Sequence, residues 1–209
     1  MPTLQSTAAY EFVIREFRYH INANWCLDYT KHIRLRAGHD GLRGFADRIL
    51  WTGGDTGLPE CTSEVDCKVR PMLNSHGAWD HFQVDFDDPL RAGQEIEFEL
   101  SWQGLTNWPN ARPFLSTSTD EPTRQIRFDL RIPGELRLDD RATFEMLRSA
   151  SALEPSHVER LTFDDSGHLF RQIDGPEPNC HFRINWQWSP SIAGSRLLSP
   201  GSAELRGSR

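Results

Sequence analysis

The sequence predicts an all-β protein, mainly an antiparallel β-sandwich of about eight to ten strands, with one short helix inserted around residues 139–149. Three observations predict it. Apolar and polar residues alternate with period two in several long stretches. Turn signals rich in Gly, Pro and Asp separate those stretches. Hydrophobic residues make up only 37% of the chain, so the core must come from pattern, with 7 Trp and 12 Phe as its bulk.

A strand sends successive side chains to opposite faces, so alternation means one dry face and one wet face. In the first element Tyr10, Phe12 and Ile14 share one phase, and Phe17, Tyr19 and Ile21 share the other. A phase switch inside a strand predicts a bulge. Tyr10, Val13, Ile14, Phe17 and Ile21 also fit a helical stripe. The weight of β-branched and aromatic residues favours the bulged strand.

Residues 25–36 set Trp25, Leu27, Tyr29, Ile33 and Leu35 against Cys26, Asp28, Thr30, His32, Arg34 and Arg36. Asp40-Gly41 then gives a hairpin signal before a weaker strand at 45–52, and another weak strand spans 63–70. Residues 81–86 set Phe82, Val84 and Phe86 inward, and residues 95–102 do the same with Ile96, Phe98, Leu100 and Trp102. Residues 104–121 form the longest excursion between strands. Strong alternation returns at Ile126, Phe128, Leu130 and Ile132.

Asp139 or Asp140 is placed to cap a helix running to about Ser149, with Phe144 and Leu147 inward. Short late strands are expected near Leu161–Phe163 and Leu169–Ile173. A last clear strand carries Phe182, Ile184, Trp186 and Trp188. The expected organisation is a flexible N-terminus at 1–8, one domain at 9–189 and a Ser-, Gly- and Arg-rich tail at 190–209.

The net charge is −7 with no block of basic residues, which disfavours nucleic acid as a partner. Lys31 and Lys68 are the only lysines, so 23 basic residues less 2 leaves 21 arginines. No apolar run approaches the roughly 18 residues of a membrane helix, and no secretory leader is evident. A cytoplasmic protein is therefore expected, with Cys26, Cys61, Cys67 and Cys180 as free thiols. In an oxidising setting Cys61 and Cys67 form the local pair to join.

The residues from Phe82-Gln83-Val84-Asp85-Phe86 through Asp88-Pro89-Leu90 and Gly93 to Glu95-Ile96-Glu97-Phe98 read as strand, turn, strand. This run resembles immunoglobulin-like and fibronectin-type accessory domains of bacterial proteins. The resemblance implies a sandwich architecture and is silent about activity.

Chemistry is sparse. There is no phosphate loop, dinucleotide fingerprint or nucleophile elbow. His76, Asp80 and His81 are weak candidates for metal ligands or an acid–base pair, since their spacing suits no common zinc pattern. No cofactor is expected. Asp87-Asp88, Asp139-Asp140 and Asp164-Asp165 fall where carboxylates close turns. Arg34 and Arg36 on one strand and Arg127 and Arg131 on another are candidates for a charged recognition surface, or for pairing with ladders such as Glu95, Glu97 and Glu99.

Trp79, Trp108 and Asn110 lie near loops, where tryptophan can stack on a sugar or anchor a partner. The expected function is a non-enzymatic protein-interaction or regulatory accessory module whose partner is another protein. Alternatives are a small-ligand or carbohydrate-binding sandwich, and a hydrolase or metal-dependent enzyme.

Overall fold

The computed structural model describes residues 8–52, 56–72 and 79–190. In chain order the strands begin with β1 (Tyr10–Ile21), β2 (Leu27–Ala37), β3 (Leu42–Leu50), β4 (Glu60–Ser63) and β5 (Cys67–Pro71). They continue with β6 (Trp79–Leu90), β7 (Glu95–Leu105), β8 (Phe114–Ser118) and β9 (Gln125–Arg131). The last are β10 (Arg141–Leu147), β11 (His157–Thr162), β12 (His168–Asp174) and β13 (His181–Asn185). Short 3-10 turns lie at Trp108–Asn110 and Gly134–Leu136. No helix of the described residues is long and apolar enough to cross a membrane.

The all-β prediction holds. One layer is a six-stranded sheet in the order β12-β9-β1-β2-β7-β4. Its pairs are antiparallel except β1 with β9, which run parallel. Two smaller sheets lie over it: β3-β6-β5 and β11-β10-β13-β8. Phe45 of β3 meets Phe98 of β7 with ring centroids 4.9 Å apart, and Phe82 of β6 meets Trp102 of β7 at 5.8 Å. Tyr19 of β1 meets Trp186, just beyond β13, at 5.2 Å. Phe98, Phe128 and Trp186 all belong to one buried cluster. Burying such aromatic side chains stabilises by roughly 1.5–3 kcal/mol each before entropy is counted.

Two bulges decide which residues face the interior. The β1–β2 register shifts between Phe12 and Ile14. Phe12 is inward before the shift, and Arg15, Phe17, Tyr19 and Ile21 are inward after it. The switch expected between Ile14 and Phe17 thus occurs one step earlier. The β3–β6 register shifts between Leu42 and Gly44. A Cβ on Gly44 would lie 2.1 Å from the Val84 carbonyl oxygen, so only glycine permits this approach. Beyond it Phe45, Asp47 and Ile49 point inward.

Several expectations need correction. The segment 139–149 is not a helix. Ala142 and Phe144 alternate with Thr143 and Glu145, and the run pairs as β10 with β11 and β13. Asp139 accepts the Arg141 backbone N–H at 2.8 Å, a bond that closes a turn instead of capping a helix. Asp40-Gly41 does not make a hairpin, because β2 and β3 belong to different sheets. The 63–70 strand is two strands, β4 and β5, in different sheets. Trp25 is not core. It is 49% exposed with φ +59° in the turn before β2. Of the expected flexible ends, residues 1–7 and 191–209 lie outside the described residues.

Candidate functional site: a charged pocket at the seam

The two smaller sheets do not hydrogen-bond to each other. Strand β3 ends one sheet and β8 ends the other. Ala46, Asp47 and Arg48 of β3 and Ser116, Thr117 and Ser118 of β8 line the same cavity. Arg15 and Phe17 of β1 and Lys31 of β2 join them from the six-stranded sheet, with His81, Asp120 and Glu121. The cavity volume is about 100 Å³. Liquid water takes about 30 Å³ per molecule, so there is room for a small polar group and not for a drug-sized molecule.

Three charged side chains meet at its base. Lys31 is 2% exposed, and Arg15 and Asp47 are 6% exposed. Lys31 Nζ donates to Asp47 Oδ2 at 2.9 Å and to the Arg48 carbonyl at 2.5 Å. Arg15 donates through Nη2 to Asp47 Oδ1 at 3.4 Å and through Nη1 to the Ser118 carbonyl at 2.8 Å. The two cations therefore satisfy carbonyls of both edge strands, β3 and β8. The Arg15 guanidinium also lies 4.6 Å from the Phe12 ring centroid, and Lys31 Nζ lies 5.6 Å from that of Phe82.

One carboxylate matches only one cation. Arginine stays charged inside proteins, so Asp47 is matched by Arg15 and the Lys31 ammonium is the surplus charge. Burial accordingly pushes the Lys31 amine below its ordinary value, and Arg15 adds to this against the pull of Asp47. Burial by itself would raise Asp47, but Lys31 and Arg15 outweigh it and hold the carboxyl below the usual range. Glu121 is raised, chiefly by burial.

Two buried donors have no hydrogen-bond partner, Arg15 Nε and the Ser116 hydroxyl, and both belong to residues that line the cavity. Asp120 sits at the solvent side, paired with Arg48, and half of its side chain is exposed. The pocket is thus donor-rich at depth and acidic toward its mouth. Next to it, Ser118 Oγ bonds His181 Nδ1 at 3.0 Å. Burial, followed by Arg183, brings the His181 imidazole down to about 4.

The residues singled out from sequence lie elsewhere, with one exception. His81 lines the cavity. Asp80 precedes it on β6, so the two side chains point to opposite faces and do not converge. His76 lies outside the described residues, as does the side chain of Trp79. Among the described residues no group of three His, Cys, Asp or Glu could hold a metal ion. Trp108 is buried at 2% exposure. Its ring stands 5.0 Å from Trp188, and its Nε1 donates to the Trp25 carbonyl at 2.8 Å, so it is not available to stack on a sugar. Asn110 is exposed beside it.

The arginine surface is internally paired. Arg36 opposes Glu95 and Arg34 opposes Glu97 across β2 and β7, and each pair is joined by hydrogen bonds. Arg127 lies 3.5 Å from Glu16, and Arg131 lies 3.9 Å from Asp129. The cross-strand pairs are worth about 0.2–1 kcal/mol each, whereas Arg131 and Asp129 are neighbours on the one strand β9.

No family model matches the sequence. No curated protein is significantly similar to it. Solved structures do match. An M1 zinc metallopeptidase from Deinococcus radiodurans is 11% identical with a TM-score of 0.40, over 85% of this chain and 42% of its own. A mutant two-domain M1 zinc metallopeptidase bound to L-arginine gives 10% and 0.40 over 85% and 42%. A putative protease from Parabacteroides distasonis gives 11% and 0.44 over 85% and 40%. The chain spans about two fifths of the length of these proteins, at 40–42%. The expectation of a non-enzymatic interaction or regulatory module is corrected on this finding: the proteins matched are peptidases and a putative protease.

Proposed function

We propose that the chain receives an α-amino acid, or the end of a peptide, in the seam pocket. The observation that carries this is the pair of buried, unpartnered donors on residues that line the cavity, Arg15 Nε and the Ser116 hydroxyl. A carboxylate suits such donors, because it accepts several hydrogen bonds and carries the charge that offsets a surplus buried cation.

The mouth has the opposite character. Glu121, with Asp120 in its pair with Arg48, gives the mouth acidic oxygens for an ammonium group, so both signs of an α-amino acid find a complement. A cavity of about 100 Å³ admits the backbone atoms of an amino acid and leaves a long side chain outside.

Calorimetric titration with L-alanine, propionate and alaninamide tests this. Alanine is expected to bind at least about tenfold more tightly than either analogue, the weight of one charge-assisted hydrogen bond. Ser116→Ala is expected to weaken alanine several-fold without changing the thermal midpoint. Equal affinity for all three compounds, or no heat from alanine at millimolar concentration, rules the role out.

A further inference from the structure

Cys61 and Cys67 sit on different layers. Cys61 belongs to β4, the edge of the six-stranded sheet, where it pairs with Leu100. Cys67 belongs to β5, the edge of the three-stranded sheet, where it pairs with Phe86. The chain crosses between the layers through Glu64, Val65 and Asp66, and the two Sγ atoms come within 2.8 Å of each other. Both side chains are partly buried against the core. Cys26 lies in the turn before β2 and Cys180 just before β13, and neither belongs to β4 or β5.

We propose that Cys61 and Cys67 form an oxidisable thiol pair whose disulfide fastens the edge of one layer to the edge of the other. Sulfurs already in contact need little backbone movement to join, and a seven-residue span from Cys61 to Cys67 keeps each thiol close to the other. The oxidant is a low-molecular-weight disulfide. One cysteine thiolate attacks it, forms a mixed disulfide and releases one small thiol. The second cysteine then attacks the mixed disulfide, closes the protein disulfide and releases the second small thiol. The two cysteines lose two electrons and two protons, and the reagent gains them.

Burial, then the hydrogen bond with Cys67, pushes the Cys61 thiol up to about 12. Cys61 is therefore a poor attacking thiolate at neutral pH. This inference is independent of the amino-acid pocket.

The test is to incubate the full chain with oxidised glutathione, block remaining thiols, and map peptides without reduction. The expected product is a Cys61–Cys67 cross-linked peptide, two hydrogens lighter than the reduced pair, with Cys26 and Cys180 recovered as blocked thiols. Cys61→Ser is expected to leave Cys67 holding glutathione, since no second thiol resolves the mixed disulfide. Stable glutathione adducts at both Cys61 and Cys67 of the unaltered chain would overturn the proposal. So would random pairing among all four cysteines, or recovery of both thiols free after prolonged oxidation. The map reads disulfide connectivity alone, so it stands whether or not the pocket binds an amino acid.

Discussion

Replacing Asp47 by Asn strips the seam of its one buried anion. Asp47 is 6% exposed and meets Lys31 at 2.9 Å and Arg15 at 3.4 Å. Asn keeps the shape and removes the charge, which leaves two buried cations with no counter-ion. Removing one partner of a buried ion pair costs about 3–5 kcal/mol. Lys31→Met is the informative contrast. Asp47 then remains matched by Arg15, and the surplus cation is gone. What is lost is the donor to Asp47 Oδ2 and to the Arg48 carbonyl, worth about 1–3 kcal/mol for each unsatisfied buried acceptor.

Relief of desolvation offsets much of that, so Lys31→Met is expected to cost clearly less than Asp47→Asn. Urea unfolding followed by tryptophan fluorescence measures both variants, with an unchanged slope as the control for two-state behaviour. A Lys31→Met chain as unstable as the Asp47→Asn chain would refute the assignment of Lys31 as the surplus charge.

The acid side gives a second readout. Asp47 has a folded value below its ordinary 3.8, so the unfolded chain binds the proton first. Its contribution is complete above that unfolded value and disappears as pH falls through the folded one. The Asp47→Asn chain lacks this loss. Lys31 has the matching sign at the basic end. Its folded value lies below 10.5, so stability rises as pH climbs from the folded value toward 10.5.

His181 supplies the next prediction. Its imidazole is brought from 6.5 to about 4 on folding. The folded state resists the proton, so stability is complete above pH 6.5 and falls by about 3 kcal/mol on acidification to pH 4. His181→Gln should flatten that part of the profile, as read from denaturant midpoints at several pH values; an unchanged slope would assign the loss to other groups. Trp108→Ala should cost about 3–5 kcal/mol, because it opens a cavity beside Trp188 and orphans the Trp25 carbonyl. A thermal midpoint within a degree or two of the parent would show the ring to be peripheral.

Alternation made most strands legible, because a half-buried strand writes its two faces into the residue order. Phe82, Val84 and Phe86 or Ile126, Phe128 and Leu130 could hardly be arranged otherwise. The same rule was present at Ala142 and Phe144 but was masked by Asp139-Asp140, which resembles a helix cap and closes a turn. Trp108 stood near Pro109 and looked like loop, yet a 3-10 turn folds it into the core.

The site was hidden in plain pattern. Lys31 occupies the phase of Tyr29 and Ile33, and Asp47 that of Phe45 and Ile49, so each is a charge at a dry position. That conflict was the available signal. What no local pattern carries is that three such conflicts meet. Their meeting depends on two bulges and on which strands become neighbours, and both are set by long-range packing.

Strand edges are ordinarily where β proteins recruit other chains, by offering open amides to a passing extended segment. Here β3 and β8 turn toward one another inside one molecule, and two long cationic side chains occupy carbonyls that a foreign strand would need. Fibre growth from this side would first have to displace Lys31 and Arg15 from their carbonyl and carboxylate bonds. The same charges that make the seam costly to bury thus guard it against self-association.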